Sequence, residues 1–254
     1  MDINLLLEEC EVFNNLEEDV FHDGEHCPYC HDKGYIKRIT EDMQYTVVEP
    51  CKCRTRRLNR KKLKAQGLEK QMDRCRFENF ETTKPFQKVI FDKATRFAKE
   101  PKGWFGIFGQ SGAGKTTICV TILNVLIDIT DKECYYCRWV DLLQKLNANV
   151  NDQEYYDKLM NEVKNVDILY IDDFFKPTGA NQMPTPAEVR KAFDIIDYRG
   201  SNDKITLISG ERTIDEMCAI DEATTSRIFE MCGENLININ RDKTKNFRFR
   251  GIEL

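Results

Sequence analysis

The sequence predicts an α/β fold, a three-layer sandwich with a parallel sheet between helices, preceded by a small cysteine-bearing module. Three observations carry that expectation. From residue 104 onward, short apolar segments alternate with amphipathic helical ones, the pattern of a parallel sheet covered on both faces. A glycine-rich turn, Gly109 to Thr116, stands between an apolar strand and an apolar helix. Two close pairs of cysteines, Cys27 with Cys30 and Cys51 with Cys53, lie ahead of it.

At 254 residues the chain has room for one α/β domain and a smaller module. No apolar run reaches the roughly 18 residues of a membrane span, and the acidic start lacks the basic and apolar regions of a secretory signal. A soluble cytoplasmic protein with no membrane partner is expected. Its 11 cysteines then read as reduced thiols and metal ligands rather than as a disulfide scaffold. The net charge of -5 hides a polarised front end. Residues 1–26 are acidic, with no Lys or Arg, whereas in 52–76 the cations Lys52, Arg54, Arg56, Arg57, Arg60, Lys61, Lys62, Lys64, Lys70, Arg74 and Arg76 face only Glu69 and Asp73. Such a segment meets nucleic acid or an acidic partner, or else pairs with the acidic N-terminus.

Taken in order, Ile3, Leu6, Cys10, Phe13 and Val20 recur at helical steps and describe a short amphipathic helix that docks on another protein or on its own chain. Residues 1–53 form the N-terminal module, 54–76 a basic helical connector, and 77–254 the main domain, entered through the aromatic lead Phe77 to Phe80. In the main domain a helix from Pro85 precedes a strand at 104–108, a helix at 115–127 and a strand at 134–140. A polar helical stretch runs to about 164. Then follow a strand at 168–171, a loop at 176–186, a helix at 187–199, a strand at 205–208, a helix at 222–231, and two short strands at 236–240 and 246–250.

The run Gly109-Gln110-Ser111-Gly112-Ala113-Gly114-Lys115-Thr116 fits the phosphate-cradling pattern G-x-x-x-x-G-K-S/T and continues into a helix through Thr117. Glycines let backbone N–H groups turn inward on phosphates, and the helix N-terminus adds its positive dipole end. Lys115 reaches the β- and γ-phosphates, and the Thr116 hydroxyl ligates Mg²⁺. The strand at 168–171 ends in Asp172-Asp173, acids delivered to the carboxyl edge of the sheet where ligands bind. Asp172 is placed to hold Mg²⁺ through water, and Asp173 to orient or deprotonate an attacking water. Together these motifs predict binding and hydrolysis of ATP to ADP. The strand at 205–208 brings Ser209 and Glu211 to the same edge, either of which suits a γ-phosphate sensor. Arg227, on a predicted helix, can reach a neighbouring subunit's γ-phosphate.

Cys27-Pro28-Tyr29-Cys30 followed by Gly34 has the form of a zinc knuckle, and Cys51-Lys52-Cys53 offers a second pair of thiolates. Cys27, Cys30, Cys51 and Cys53 are therefore read as a structural Zn²⁺ site, with His22, His26 and His31 as possible substitutes. Cys134 and Cys137 are read the opposite way, because positions three apart on a strand face opposite sides of the sheet.

The glycine-rich loop, Asp172-Asp173, the phrase Ile195-Ile196-Asp197-Tyr198-Arg199 before a strand ending in Ile208-Ser209, and Ser226-Arg227-Ile228 together resemble the helicase loaders of the DnaC/DnaI type, including their phage-encoded members. The resemblance covers most of residues 77–250. It implies an AAA+ P-loop ATPase in which Lys115, Thr116, Asp172 and Asp173 serve ATP and Mg²⁺, Ser209 is the sensor, and Arg227 is an arginine finger acting through self-association. It further implies a hexameric replicative helicase, contacted by the cysteine-bearing N-terminal module, and single-stranded DNA as partners. Glu211 departs from the family, many members of which carry Asn near the sensor. A transposition ATPase of the IstB type and a nucleotide-switched adaptor with little hydrolysis are the alternatives.

Overall fold

A computed structural model describes residues 3–176 and 183–246. The chain divides into two compact units, residues 1–61 and 62–254.

In the first unit, helix α1 (Ile3–Asn15) precedes an antiparallel hairpin of β1 (Tyr35–Ile39) and β2 (Thr46–Pro50), after which α2 (Lys52–Leu63) begins. The hairpin pairs Tyr35 with Pro50 and Ile39 with Thr46. The amphipathic helix docks on its own chain, burying Leu6. The expected helical series included Val20, but α1 stops at Asn15. There the Asn14 amide exchanges hydrogen bonds with the backbone of Lys37 (2.9 and 2.8 Å), and Lys33 Nζ donates to the Asn14 and Leu16 carbonyls, so side chains satisfy groups that a further turn would use.

In the second unit, α2 gives way to a π-helical turn over Lys64–Leu68, with Gly67 at φ 99°, and then to α3 (Glu69–Arg74). This stretch of the expected connector is packed rather than loose. Leu63, Leu68, Met72 and Cys75 are buried, and Asn124 Nδ2 donates to the carbonyls of Met72 (3.0 Å) and Cys75 (2.9 Å). Helix α4 (Pro85–Lys99) leads to β3 (Trp104–Gly109), α5 (Lys115–Ile129) and β4 (Cys134–Arg138). The strand expected over 134–140 ends at Arg138, because Trp139, Leu142, Leu143 and Leu146 are buried at helical spacing in α6 (Trp139–Ala148). Helix α7 (Gln153–Asn165), β5 (Ile168–Asp172), α8 (Pro186–Ser201), β6 (Ile205–Gly210), α9 (Ile214–Cys218), α10 (Glu222–Cys232) and β7 (Leu236–Ile239) complete the described chain. The strand expected over 246–250 lies, from residue 247 on, outside the described residues.

The five strands from β3 to β7 form one parallel sheet in the order β4-β5-β6-β3-β7. Alternate residues serve opposite layers. Phe105, Ile107, Ile168 and Tyr170 face the core under α4 and α5, whereas Trp104, Phe108, Leu169 and Ile171 face the core under α6, α7, α8 and α10. Cys134 and Cys137 fall into these opposite cores, as strand periodicity requires. No helix among the described residues is long and apolar enough to cross a membrane.

Candidate nucleotide site and cysteine centre

The sheet order puts β6 between β3, which carries the glycine-rich loop, and β5, which carries the paired acids. Gly109, Gly112 and Gly114 hold φ of 107°, 77° and 84°. At Gly109 the constraint is absolute as well as conformational, since a Cβ would stand 2.0 Å from the Ile239 carbonyl of β7. Lys115 opens α5, and its Nζ donates to the carbonyls of Gly109 (2.8 Å) and Gln110 (2.7 Å). Burial pushes its pKa down, opposed by the charges of Glu211, Asp173 and Asp172.

The neighbouring Thr116 hydroxyl lies 3.1 and 3.2 Å from the two carboxylate oxygens of Asp172. The hydroxyl and the carboxylate are thus hydrogen-bonded side by side, a donor set that fits an Mg²⁺ held by Thr116 directly and by Asp172 through water. Asp172 is nearly buried at the end of β5. Burial pushes its pKa up, and hydrogen bonding to Ser209 opposes the shift. Ser209 Oγ donates to Asp172 and lies 3.1 Å from the Tyr170 hydroxyl. Asp173 turns at φ 57°, and its carboxylate receives Lys176 Nζ at 2.9 Å. Glu211 stands 3.7 Å from the same ammonium.

A cleft of about 420 Å³ opens between these groups, lined by Ser111, Gly112, Gly114, Lys115, Thr116 and Thr117 on one side and by Asp173, Lys176 and Glu211 on another. Asn79, Phe80 and Glu81 form its remaining wall. Of the two residues read as sensors, Glu211 reaches the cleft, whereas Ser209 is fully buried and engaged with Asp172. Arg227 is elsewhere, on α10, paired with Asp197 (2.9 Å) and Glu230 (3.0 Å). Phe174 and Phe175 are core residues packed against Trp139, the first tilted to its ring and the second edge-on.

In the first unit, the Sγ atoms of Cys27, Cys30, Cys51 and Cys53 all lie within 4.8 Å of one another. Cys27 and Cys51 are 3.8 Å apart, and Cys30 and Cys53 are 3.5 Å apart. A tetrahedral Zn²⁺ with bonds of about 2.3 Å requires S–S edges of about 3.8 Å, so the donor set fits the ion. Burial raises the Cys27 thiol, but hydrogen bonds from the backbone N–H groups of Cys30 and Tyr29 and with the Cys53 and Cys30 thiols together outweigh it and bring the pKa down to about 7. Asp32 braces the knuckle, accepting from Cys27 N (2.8 Å) and from Arg57 (2.6 Å). Arg57 also binds Asp23 and lies over the Phe21 ring, while Arg56 and Arg60 pair with Glu25. For these three arginines, pairing with the acidic N-terminus is the reading that holds. His26 bonds Asp32 rather than joining the thiols.

A family model described as IstB-like ATP binding protein matches residues 38–226. The chain belongs to this family. It is 32% identical over 263 residues, 85% of this chain and 83% of the relative, to the uncharacterized protein YqaM of Bacillus subtilis. It is also 25% identical over 167 residues, 59% of this chain and 66% of the relative, to the replicative helicase loader DnaC of Buchnera aphidicola. A crystal structure of the DnaC helicase loader superposes with a TM-score of 0.56 at 19% identity, over 67% of this chain and 97% of that one. The fold is that of the AAA+ P-loop proteins. In this IstB-like chain the sequence motifs locate the loop and the acids. Lys176 and the wall at Asn79 to Glu81 carry no motif of their own, and only the turn after Asp173 and the aromatic lead hinted at them.

Proposed function

We propose that this IstB-like protein is an ATPase that loads a hexameric replicative helicase onto single-stranded DNA. The observation that carries the reading is the assembly of Lys115, Thr116, Asp172 and Asp173 at one cleft, supported by the similarity to a relative named as a replicative helicase loader. The loop amides and Lys115 bind the phosphates of ATP, and Thr116 with Asp172 holds Mg²⁺, which supplies charge neutralisation when bound. Asp173 orients the attacking water. Ser209 fixes the Asp172 carboxylate from behind. Arg227 exchanges Asp197 and Glu230 for the nucleotide of a neighbouring subunit, so hydrolysis depends on assembly. Cys27, Cys30, Cys51 and Cys53 hold one structural Zn²⁺ in the module that engages the helicase.

The test combines turnover with recovery of partners. Wild type is expected to hydrolyse ATP, Asp172→Asn to lose at least a hundredfold, and Arg227→Ala to lose the dependence on protein concentration. Recovery of a hexameric helicase from replication-active extract supports the loader reading. The family description itself favours one rival, a transposition ATPase of the IstB type. Recovery of a transposase together with duplex DNA, and of no helicase, would establish that rival instead.

A further inference from the structure

The cleft holds a cation that the phosphate-loop chemistry leaves unused. Its side chains include three carboxylates, Glu81, Asp173 and Glu211, against two ammonium groups, Lys115 and Lys176. With that balance, each lysine adds weight to the attraction of a polyphosphate that the loop amides begin. Lys115 belongs to the loop, hydrogen-bonded to the Gly109 and Gln110 carbonyls. Lys176 stands on the opposite wall, 2.9 Å from Asp173 and 3.7 Å from Glu211. Both acids also lie within electrostatic reach of Lys115, so the two lysines flank the same pair of carboxylates.

The backbone leading to Lys176 is held by hydrogen bonds and burial. Phe174 N donates to the Ser209 carbonyl at 2.8 Å, Lys176 N donates to the Asp173 carbonyl at 3.0 Å, and Phe174 and Phe175 are buried between them. The side chain is one-third exposed, its ammonium on a four-carbon stem. It can therefore pass from a carboxylate oxygen to a phosphate oxygen on the same wall without moving the backbone.

We propose that Lys176 binds the terminal phosphate of a nucleoside triphosphate and sets the preference of this cleft for triphosphate over diphosphate. The proposal rests on the nucleotide-binding reading above. Lys115 and the loop amides grip what the two nucleotides share, whereas Lys176 lies beside the acid assigned to the attacking water and so faces the end by which they differ. Without Lys176, Asp173 and Glu211 would keep only Lys115 among the lysines that line the cleft.

The experiment is calorimetric titration of the full chain with Mg²⁺ and either a non-hydrolysable ATP analogue or ADP, for wild type, Lys176→Ala, Lys176→Arg and Lys115→Ala. Lys176→Ala is expected to lose about tenfold to a hundredfold in affinity for the triphosphate, the range of a hydrogen bond to a charged group, and to hold ADP within a few-fold. Lys176→Arg should keep most of the preference, and thermal midpoints should match wild type. Lys115→Ala should weaken both ligands. An unchanged triphosphate-to-diphosphate ratio in Lys176→Ala, or an equal loss of both, overturns the assignment. Failure of wild type to bind either nucleotide overturns the nucleotide reading along with it.

Discussion

The two sites of this chain are built on opposite principles. Among the described residues the cysteine centre has only a small apolar cluster around it. Cys27, Cys30 and Cys51 cluster with little more than Ile36 and Cys53, and the surrounding order comes from polar bridges among Arg57, Asp23, Asp32 and the knuckle backbone. The nucleotide cleft, by contrast, is the rim of a sheet whose two faces are filled by Trp, Phe, Tyr, Ile and Leu. In the first unit polar contacts predominate around the site, whereas in the second polar groups are presented by a fold that apolar burial secures. Perturbing polar groups should therefore unfold one region and merely retune the other.

Metal removal is the most forceful test of that contrast. If the proposed Zn²⁺ is bound, a chelator or Cys51→Ser is expected to accelerate hydrogen exchange of the β1–β2 hairpin amides by several orders of magnitude, because structural zinc contributes roughly 10 kcal/mol or more of folding free energy in small metal-built modules. Amides of β3, β5 and β6 should keep their protection. If the sheet loses protection in step with the hairpin, the two regions are not separately stabilised.

A gentler perturbation of the same module acts behind the ligands. Arg57 is 1% exposed, and its guanidinium joins Asp23 and Asp32, the latter holding Cys27 N. Arg57→Met keeps much of the stem volume and removes the fork. Zinc affinity, read by competition with a chromogenic chelator, should fall about tenfold to a hundredfold, as when the groups orienting metal ligands are removed. Arg57→Lys should recover little of it, since a point charge cannot bridge two carboxylates in a fixed plane. Unchanged affinity in Arg57→Met would mean that the thiols are oriented by the knuckle turns alone.

The same contrast decides what could be read from sequence. Gly109 to Thr116 is legible because its parts are contiguous, and Asp172-Asp173 because an apolar strand announces where it ends. Period-two alternation was enough to send Cys134 and Cys137 to opposite cores. The basic segment was not decidable, because Arg56, Arg57 and Arg60 find Asp23, Glu25 and Asp32 only once the N-terminal unit has folded back on itself. The end of α1 at Asn15 was hidden for the same reason, being set by Lys33 and Lys37 from the hairpin side. Ser209 and Glu211 could not be separated in sequence. Only the insertion of β6 between β3 and β5 turns one hydroxyl onto Asp172 and one carboxylate into the cleft.

The smallest expected effect tests whether the cleft's remaining wall is held from within its own unit. Asn124 lies about two and a half turns along α5 from Lys115, almost fully buried, and its amide donates to the carbonyls of Met72 and Cys75. Those carbonyls end α3 just ahead of Asn79, Phe80 and Glu81, which line the cleft. Asn124→Leu preserves the volume but strips two buried acceptors of their donor, at a cost of about 1–3 kcal/mol. For a unit of this size that is a loss of several degrees in thermal midpoint. Nucleotide affinity should fall by only a few-fold, because the phosphate loop is untouched and just one wall shifts. A lowered midpoint with unchanged affinity would show that Asn79 to Glu81 border the cleft without gripping the ligand, leaving the loop, Thr116 and the two lysines to account for binding.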